Sequence, residues 1–221
     1  MSMMVRMLSA GLLMLGTCGL GWAQGVDVGL VQQVAGDVTY VSGTGSGKAQ
    51  AFMKMRRGDR FTLPAAARMQ VVYFQNGRQE TWRGPASFSA GSERSDAVSG
   101  TIQEVRKLPV GVPQKIQKIP DLIQMAKLGG ITVRSAAPRP QPGSAEQQAE
   151  LDAARATYAQ LRQQLPADDI TPELYLYTVL QDQLLYGEMK TMVDEMLRKQ
   201  PASAEAAQLA EWVKARIEPA K

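Results

Sequence analysis

Histidine is absent from all 221 residues, and cysteine occurs once, at Cys18. Without histidine the chain lacks the commonest general acid/base and any Ser-His-Asp triad or Cys-His dyad. Without a second cysteine there is no disulfide within the chain, and no Cys/His set for zinc, haem or an iron–sulfur cluster. Aromatic residues are also sparse, at 6%. Long apolar runs are nearly missing. The one exception follows Arg6 and reads MLSAGLLMLGTCGLGWA. It carries no charge, is short for a bilayer span, and ends in Gly21-Trp22-Ala23, with small residues where a signal peptidase reads. A secretory signal over residues 1–23, cut after Ala23, is the expectation. Thr17 ahead of Cys18 is a poor lipobox residue, which disfavours a lipoprotein. Cleavage would remove the only cysteine, and a thiol-free exported chain suits the bacterial periplasm.

Charge is unevenly placed. Residues 24–143 hold 16 basic and 8 acidic side chains, a balance of +8, and residues 144–221 hold 8 and 13, a balance of −5. The break falls at Pro138–Gly143, as expected of a domain boundary. Behind a signal peptide the basic half points to an envelope protein or an anionic envelope polymer rather than nucleic acid. The opposite signs equally allow the two halves to lie against each other.

The densest local code runs from Met53 to Phe88. Asn76-Gly77 separates two strand-like runs, Met69–Gln75 and Arg78–Trp82, and is the favoured dipeptide of a two-residue hairpin. Such a turn would set Val71 opposite Trp82 and Phe74 opposite Gln79. Arg57-Gly58-Asp59-Arg60 and Gly84-Pro85 mark flanking turns. Earlier, Asp37–Val41 alternates as a strand. Ser42–Ala49 resembles a phosphate-binding loop only loosely, because Ser42 and Ala49 stand where Gly and Ser/Thr are needed, so it reads as a flexible hairpin loop. Phe52–Met55 is expected to pair across that loop, and Thr101–Leu108 adds one more strand.

Prolines interrupt 109–143, leaving a short helix at Asp121–Leu128, a short strand at Ile131–Arg134 and a proline-rich linker. Ser144-Ala-Glu-Gln147 is a capping box. The helix after it presents Leu151, Ala154, Tyr158, Leu161 and Leu165 on one stripe. Thr171-Pro172 opens a second helix running to about Tyr186, and Gly187 separates it from a third, with Met189, Met192, Val193 and Met196 inward. Ser203 opens a fourth, with Ala206, Leu209, Val213 and Ile217 on one side. The fold class is therefore α+β: a small antiparallel β-sandwich or barrel-like domain followed by a helical hairpin domain.

Gly58, Asp59, Asn76, Gly77, Pro85, Ser87 and Phe88 fall in the order and spacing of a FecR domain, and residues from about 35 to 90 resemble that family. The resemblance implies a periplasmic sensing and protein-interaction role. The family's regulators pass a signal from an outer-membrane receptor to a sigma factor; this sequence lacks their internal membrane helix, so only fold and interaction role carry over, and no binding residues. Leu184, Leu185, Tyr186, Glu188 and Pro201 are similar to a single tetratricopeptide unit over 171–203, although Tyr177, Met189 and Met196 are large where that family wants small residues. A generic pair of helical hairpins fits equally well. The expected organisation is a signal peptide at 1–23, a FecR-like domain at 24–108, a proline-rich extension and linker at 109–143, and a tetratricopeptide-like domain at 144–221.

Three functions follow. The first is a non-catalytic periplasmic interaction module, with no cofactor, metal or catalytic residue assigned. The second is a binder of peptidoglycan or lipopolysaccharide through the basic half. The third is a hydrolase built on carboxylates such as Asp37 and Asp59.

Overall fold

The computed structural model describes residues 25–128 and 143–218. The signal segment, the strand expected at Ile131–Arg134 and nearly all of the proline-rich linker lie outside the described residues. Ten strands precede six helices. β1 (Asp27–Ala35), β4 (Lys54–Arg56), β6 (Arg68–Tyr73), β7 (Arg78–Arg83) and β10 (Ile102–Lys107) form a central sheet in the order β10-β7-β6-β1-β4. β2 (Thr39–Ser42), β3 (Gly45–Lys48), β5 (Arg60–Leu63), β8 (Ala86–Ala90) and β9 (Ser95–Ser99) form an outer sheet in the order β3-β2-β5-β8-β9. Every pairing is antiparallel. The α+β class and the sandwich stand.

Strand periodicity explains the packing. Val28, Val31, Met69, Val71, Tyr73 and Trp82 of the central sheet share a core with Phe61, Leu63 and Phe88 of the outer sheet. Phe88 lies between Trp82 and Phe61, with ring centroids 4.5 Å and 5.2 Å away. The alternate residues, Leu30 and Val72, face the other way and join the helical core. The central sheet is thus buried on both faces, which is why β6 ends in three consecutive apolar residues, Val71, Val72 and Tyr73, rather than a strict alternation. Gly29 lies where β1 runs close to β6: a Cβ there would sit 2.4 Å from the Val72 carbonyl oxygen.

The helices are α1 (Val112–Ile116), α2 (Ile119–Lys127), α3 (Ala145–Gln164), α4 (Thr171–Asp182), α5 (Tyr186–Lys199) and α6 (Ala204–Ile217). They cover the central sheet and make a three-layer molecule. Val112, Ile116, Ile119, Leu122 and Ile123 belong to the same core as α3–α6, so residues 112–127 are part of the helical layer. The capping box is present: Gln147 N–H donates to Ser144 Oγ at 3.2 Å, and Ser144 N–H donates to Gln147 Oε1 at 2.9 Å. α4 is buried on every side from Thr171 to Leu180. Met189, Met192, Val193 and Met196 point inward as expected, whereas Ile217 is exposed.

The structure corrects several local expectations. Met69, not Val71, lies opposite Trp82, and Val72, not Phe74, lies opposite Gln79. Phe74–Gly77 is a four-residue loop in which only Gly77 has positive φ, at 67°. Asn76 instead spends its side chain on an Asx turn, its Oδ1 accepting from Arg78 N–H at 2.9 Å. Ser42–Ala49 is ordered as a β2–β3 hairpin closed at Ser42↔Gly45. β4 pairs with β1 in the central sheet and not across that hairpin. α4 ends at Asp182 because Leu184 takes the left-handed conformation, at φ 58°, so Gly187 is free to sit inside α5.

A matched pair of substitutions tests this packing. A Cβ on Gly84 would lie 1.7 Å from the Pro64 carbonyl oxygen, whereas one on Gly187 would meet nothing within 4 Å. Gly84→Ala is expected to cost about 3 kcal/mol or more by overpacking against backbone. Gly187→Ala is expected to stabilise by about 0.4–1 kcal/mol through the unfolded chain. Urea unfolding of both variants reads the difference.

Candidate functional site

β4 is an edge strand of the central sheet, and the helical layer does not close over it. A cleft of about 430 Å³ opens there, lined by Tyr40, Phe52, Lys54, Arg56 and Asp59 on the sandwich side and by Asp121 of α2 opposite. A second cleft of about 570 Å³ runs between Gln33–Gly36 at the end of β1 and the α5–α6 connection. Gln50, Ala51 and Glu205 line both, so the two make one groove along the seam between sandwich and helices. At their junction Phe52 holds φ at 60° with its ring buried in the helical core. A left-handed backbone at a bulky residue is a strained conformation that the surrounding packing imposes.

The groove is electrically compensated. Lys54 Nζ lies 2.9 Å from Asp121 Oδ1 across the cleft and 3.5 Å from Asp27 Oδ2. Arg56 Nε lies 3.4 Å from Asp27 Oδ1. The hydrogen bond to Asp121 raises the Lys54 pKa above its ordinary value despite partial burial. Asp59 is nearly enclosed in the β4–β5 turn, and its Oδ2 accepts from Arg56 N–H at 2.8 Å. Burial raises its pKa against the pull of that bond. The turn reading of Gly58-Asp59 therefore holds, with Gly58 at φ 89°.

Asp37 and Asp59 are not brought together. Asp37 is exposed and pairs with Lys48 at 2.7 Å. Thr39 lies opposite Thr62, which sets Asp37 level with Pro64, five residues along β5 from Asp59. At the strand rise this is about 17 Å, too far for the roughly 5–9.5 Å of a glycosidase carboxylate pair. Among the described residues no group of three or more His, Cys, Asp and Glu could hold a metal ion. The methionines of α5 fill the core rather than a groove.

Three clusters escaped the sequence. Trp212 and Arg216, four apart on α6, stack with the guanidinium carbon 3.5 Å from the ring centroid, and that spacing was the readable signal. They line an apolar hollow of about 350 Å³ together with Ala126 and Ala207. Glu173, fully buried in α4, meets Lys199 Nζ at 2.8 Å, Arg162 Nε at 3.6 Å and the Tyr158 hydroxyl at 3.2 Å. Burial pushes the Tyr158 hydroxyl up to about 12. The third cluster is a row of buried glutamines on the central sheet, Gln32, Gln70 and Gln79. No periodicity flags it, because it depends on which strands become neighbours. Comparison with protein-family models, curated proteins and solved structures found no match.

Two measurements follow. Because the folded-state pKa of Asp59 lies above its unfolded value, its ionisation destabilises the fold as pH rises from the ordinary carboxylate range through that pKa. Asp59→Asn, whose Oδ1 can still accept from Arg56, is expected to gain stability relative to the parent at pH 7. That gain should vanish below the unfolded carboxylate pKa of about 3.9 in a pH series of urea melts. Lys199→Ala leaves Glu173 short of its closest cation and is expected to cost about 3–5 kcal/mol in the same assay.

Proposed function

We propose that the protein is an exported, non-catalytic interaction module of FecR-like type, and that its seam groove takes an extended segment of a partner protein. The observation that carries this is the placement of edge strand β4 along the groove. Among the described residues β4 ends the central sheet and its outer side has no strand neighbour, and the groove beside it is long, mixed in polarity and charge-compensated. An extended peptide supplies backbone hydrogen bonds to such an edge and side chains to flanking hollows. The helical layer supports the same reading. α4 and α6 begin at Thr171 and Ala204, 33 positions apart, close to the roughly 34-residue tetratricopeptide period. No described helix is long and apolar enough to cross a membrane.

A protein is favoured over envelope polymer as the main ligand because part of the basic half's charge excess is met within the protein, Arg68 by Asp168 and Lys115 and Lys118 by Asp182. The separation of Asp37 from Asp59 removes the carboxylate pair on which a hydrolase reading rested.

Ala51 lines both halves of the groove and is half-buried. In cross-linking from intact cells with a C-terminally tagged full chain, Ala51→Trp is expected to reduce recovery of one mass-spectrometrically identified partner at least tenfold. Asp152→Arg, on the exposed face of α3, should leave recovery unchanged. Equal recovery by both variants would sink the groove reading. Recovery only of cell-wall material, lost at high salt, would put polymer binding first.

A further inference from the structure

The helical layer meets the central sheet through an unusual seam. From the sandwich side the helical core takes two strand residues, Leu30 and Val72, together with Phe52, Phe74 and Leu108 from the connecting segments. The neighbouring positions on the same face are Gln32, Gln70, Gln79 and Thr81, all buried. A bulge in β1 opposite β6 makes Gln32 the extra residue, on the same helical face as Leu30 two positions before it. One short segment of the helical layer meets this row. Asp169 Oδ2 accepts from Gln70 Nε2 at 2.8 Å and from Gln79 Nε2 at 3.0 Å. Thr171 Oγ1 accepts from Gln32 Nε2 at 2.8 Å and from Gln79 Nε2 at 2.9 Å. The other oxygen of Asp169 accepts from Thr171 N–H at 2.7 Å, which ties the carboxylate to the start of α4. Outside this knot, the remaining hydrogen bonds from the strands to this segment are exposed: Arg68 to Asp168, and Arg106 to the Gln164 carbonyl.

Each layer has its own support. The sandwich core contains no helical residue. α1–α6 share one apolar core, reinforced by the Glu173–Lys199 pair, and Arg162 grips the Pro166 and Asp169 carbonyls from the helical side. The glutamine face is polar, so water can satisfy it when it is uncovered. In the closed state Gln79 Oε1 is buried with no hydrogen-bond partner among the described residues, a cost that opening would relieve.

We propose that this seam is a releasable latch: α1–α6 lift off the glutamine face of the central sheet as a folded unit, and Asp169 governs the release. Interfaces that are more polar than a domain core favour relative motion. Opening therefore precedes global unfolding and exposes less surface than global unfolding does. This rests on the knot alone and is independent of what the groove binds.

The chain suits a thiol test, because Cys18→Ser leaves it without cysteine. In that full-length background, Thr81→Cys places a thiol on the seam face and Val71→Cys places one inside the sandwich. Labelling by a small disulfide reagent is followed across low urea, each variant being scaled to its own unfolding curve so that a destabilised one stays interpretable. The latch requires the Thr81→Cys thiol to react with a clearly weaker urea dependence than the Val71→Cys thiol. Adding Asp169→Asn should speed labelling at Thr81→Cys about tenfold and leave Val71→Cys unchanged. The proposal fails if both thiols react with the urea dependence of global unfolding, or if Asp169→Asn accelerates both equally.

Discussion

The carboxylate of Asp169 fixes how the three layers stand. It draws hydrogen bonds from two glutamines on adjacent strands, β6 and β7, and from the first residue of α4. The two glutamines lie 99 and 90 residues away in sequence, and holding both at once restricts the docking angle. A slide of the helices by one residue along the sheet would strand several buried polar groups, each at a cost of about 1–3 kcal/mol. Apolar contact between Leu30, Val72 and the helices supplies attraction without direction. The knot supplies the direction. The groove beside β4 exists because the helical layer, once registered in this way, stops short of that edge.

Charge complements the knot at longer range. The basic excess of the first part of the chain and the acidic excess of the last part meet in Arg68–Asp168, Lys115–Glu150 and Lys118–Asp182. These pairs are partly exposed and each is worth little, about 0–1 kcal/mol. Their collective effect is to favour the observed face of the helical layer over its alternatives. Part of the basic excess that composition shows is thus matched by carboxylates of the helical layer.

Much of the fold was legible because its signals are local. The capping box at Ser144 and Gln147, the inward stripe of α5, the Gly58 turn and the hairpin around Asn76-Gly77 all rest on a few neighbouring residues. The hairpin register was misread for a related reason. Asn-Gly favours a two-residue turn, but Asn76 is held by Arg78 N–H and by the Glu93 carbonyl, and the second contact comes from a distant loop. The candidate site was less legible still. Lys54 and Asp121 come from separate elements, and Gln50–Ala51 gains its meaning from Glu205 on the last helix. Asp37 and Asp59, the carboxylates that sequence singled out, sit at opposite ends of one strand pairing. Nothing in their spacing reveals on which side of a sheet, or at which end, a residue will fall.

Among the described residues all ten strands precede the first helix, and β10 completes the described central sheet before Val112 begins α1. A chain that emerges from its N-terminus can therefore close the sandwich while α3–α6 are still being made. At that stage the face awaiting its cover shows glutamine and threonine to water where most buried sheets would show valine and isoleucine. The half-made molecule has a wettable surface, and wrong partners find little there to hold. The same side chains that orient the finished protein also let water wet the open face of its precursor beside Leu30 and Val72.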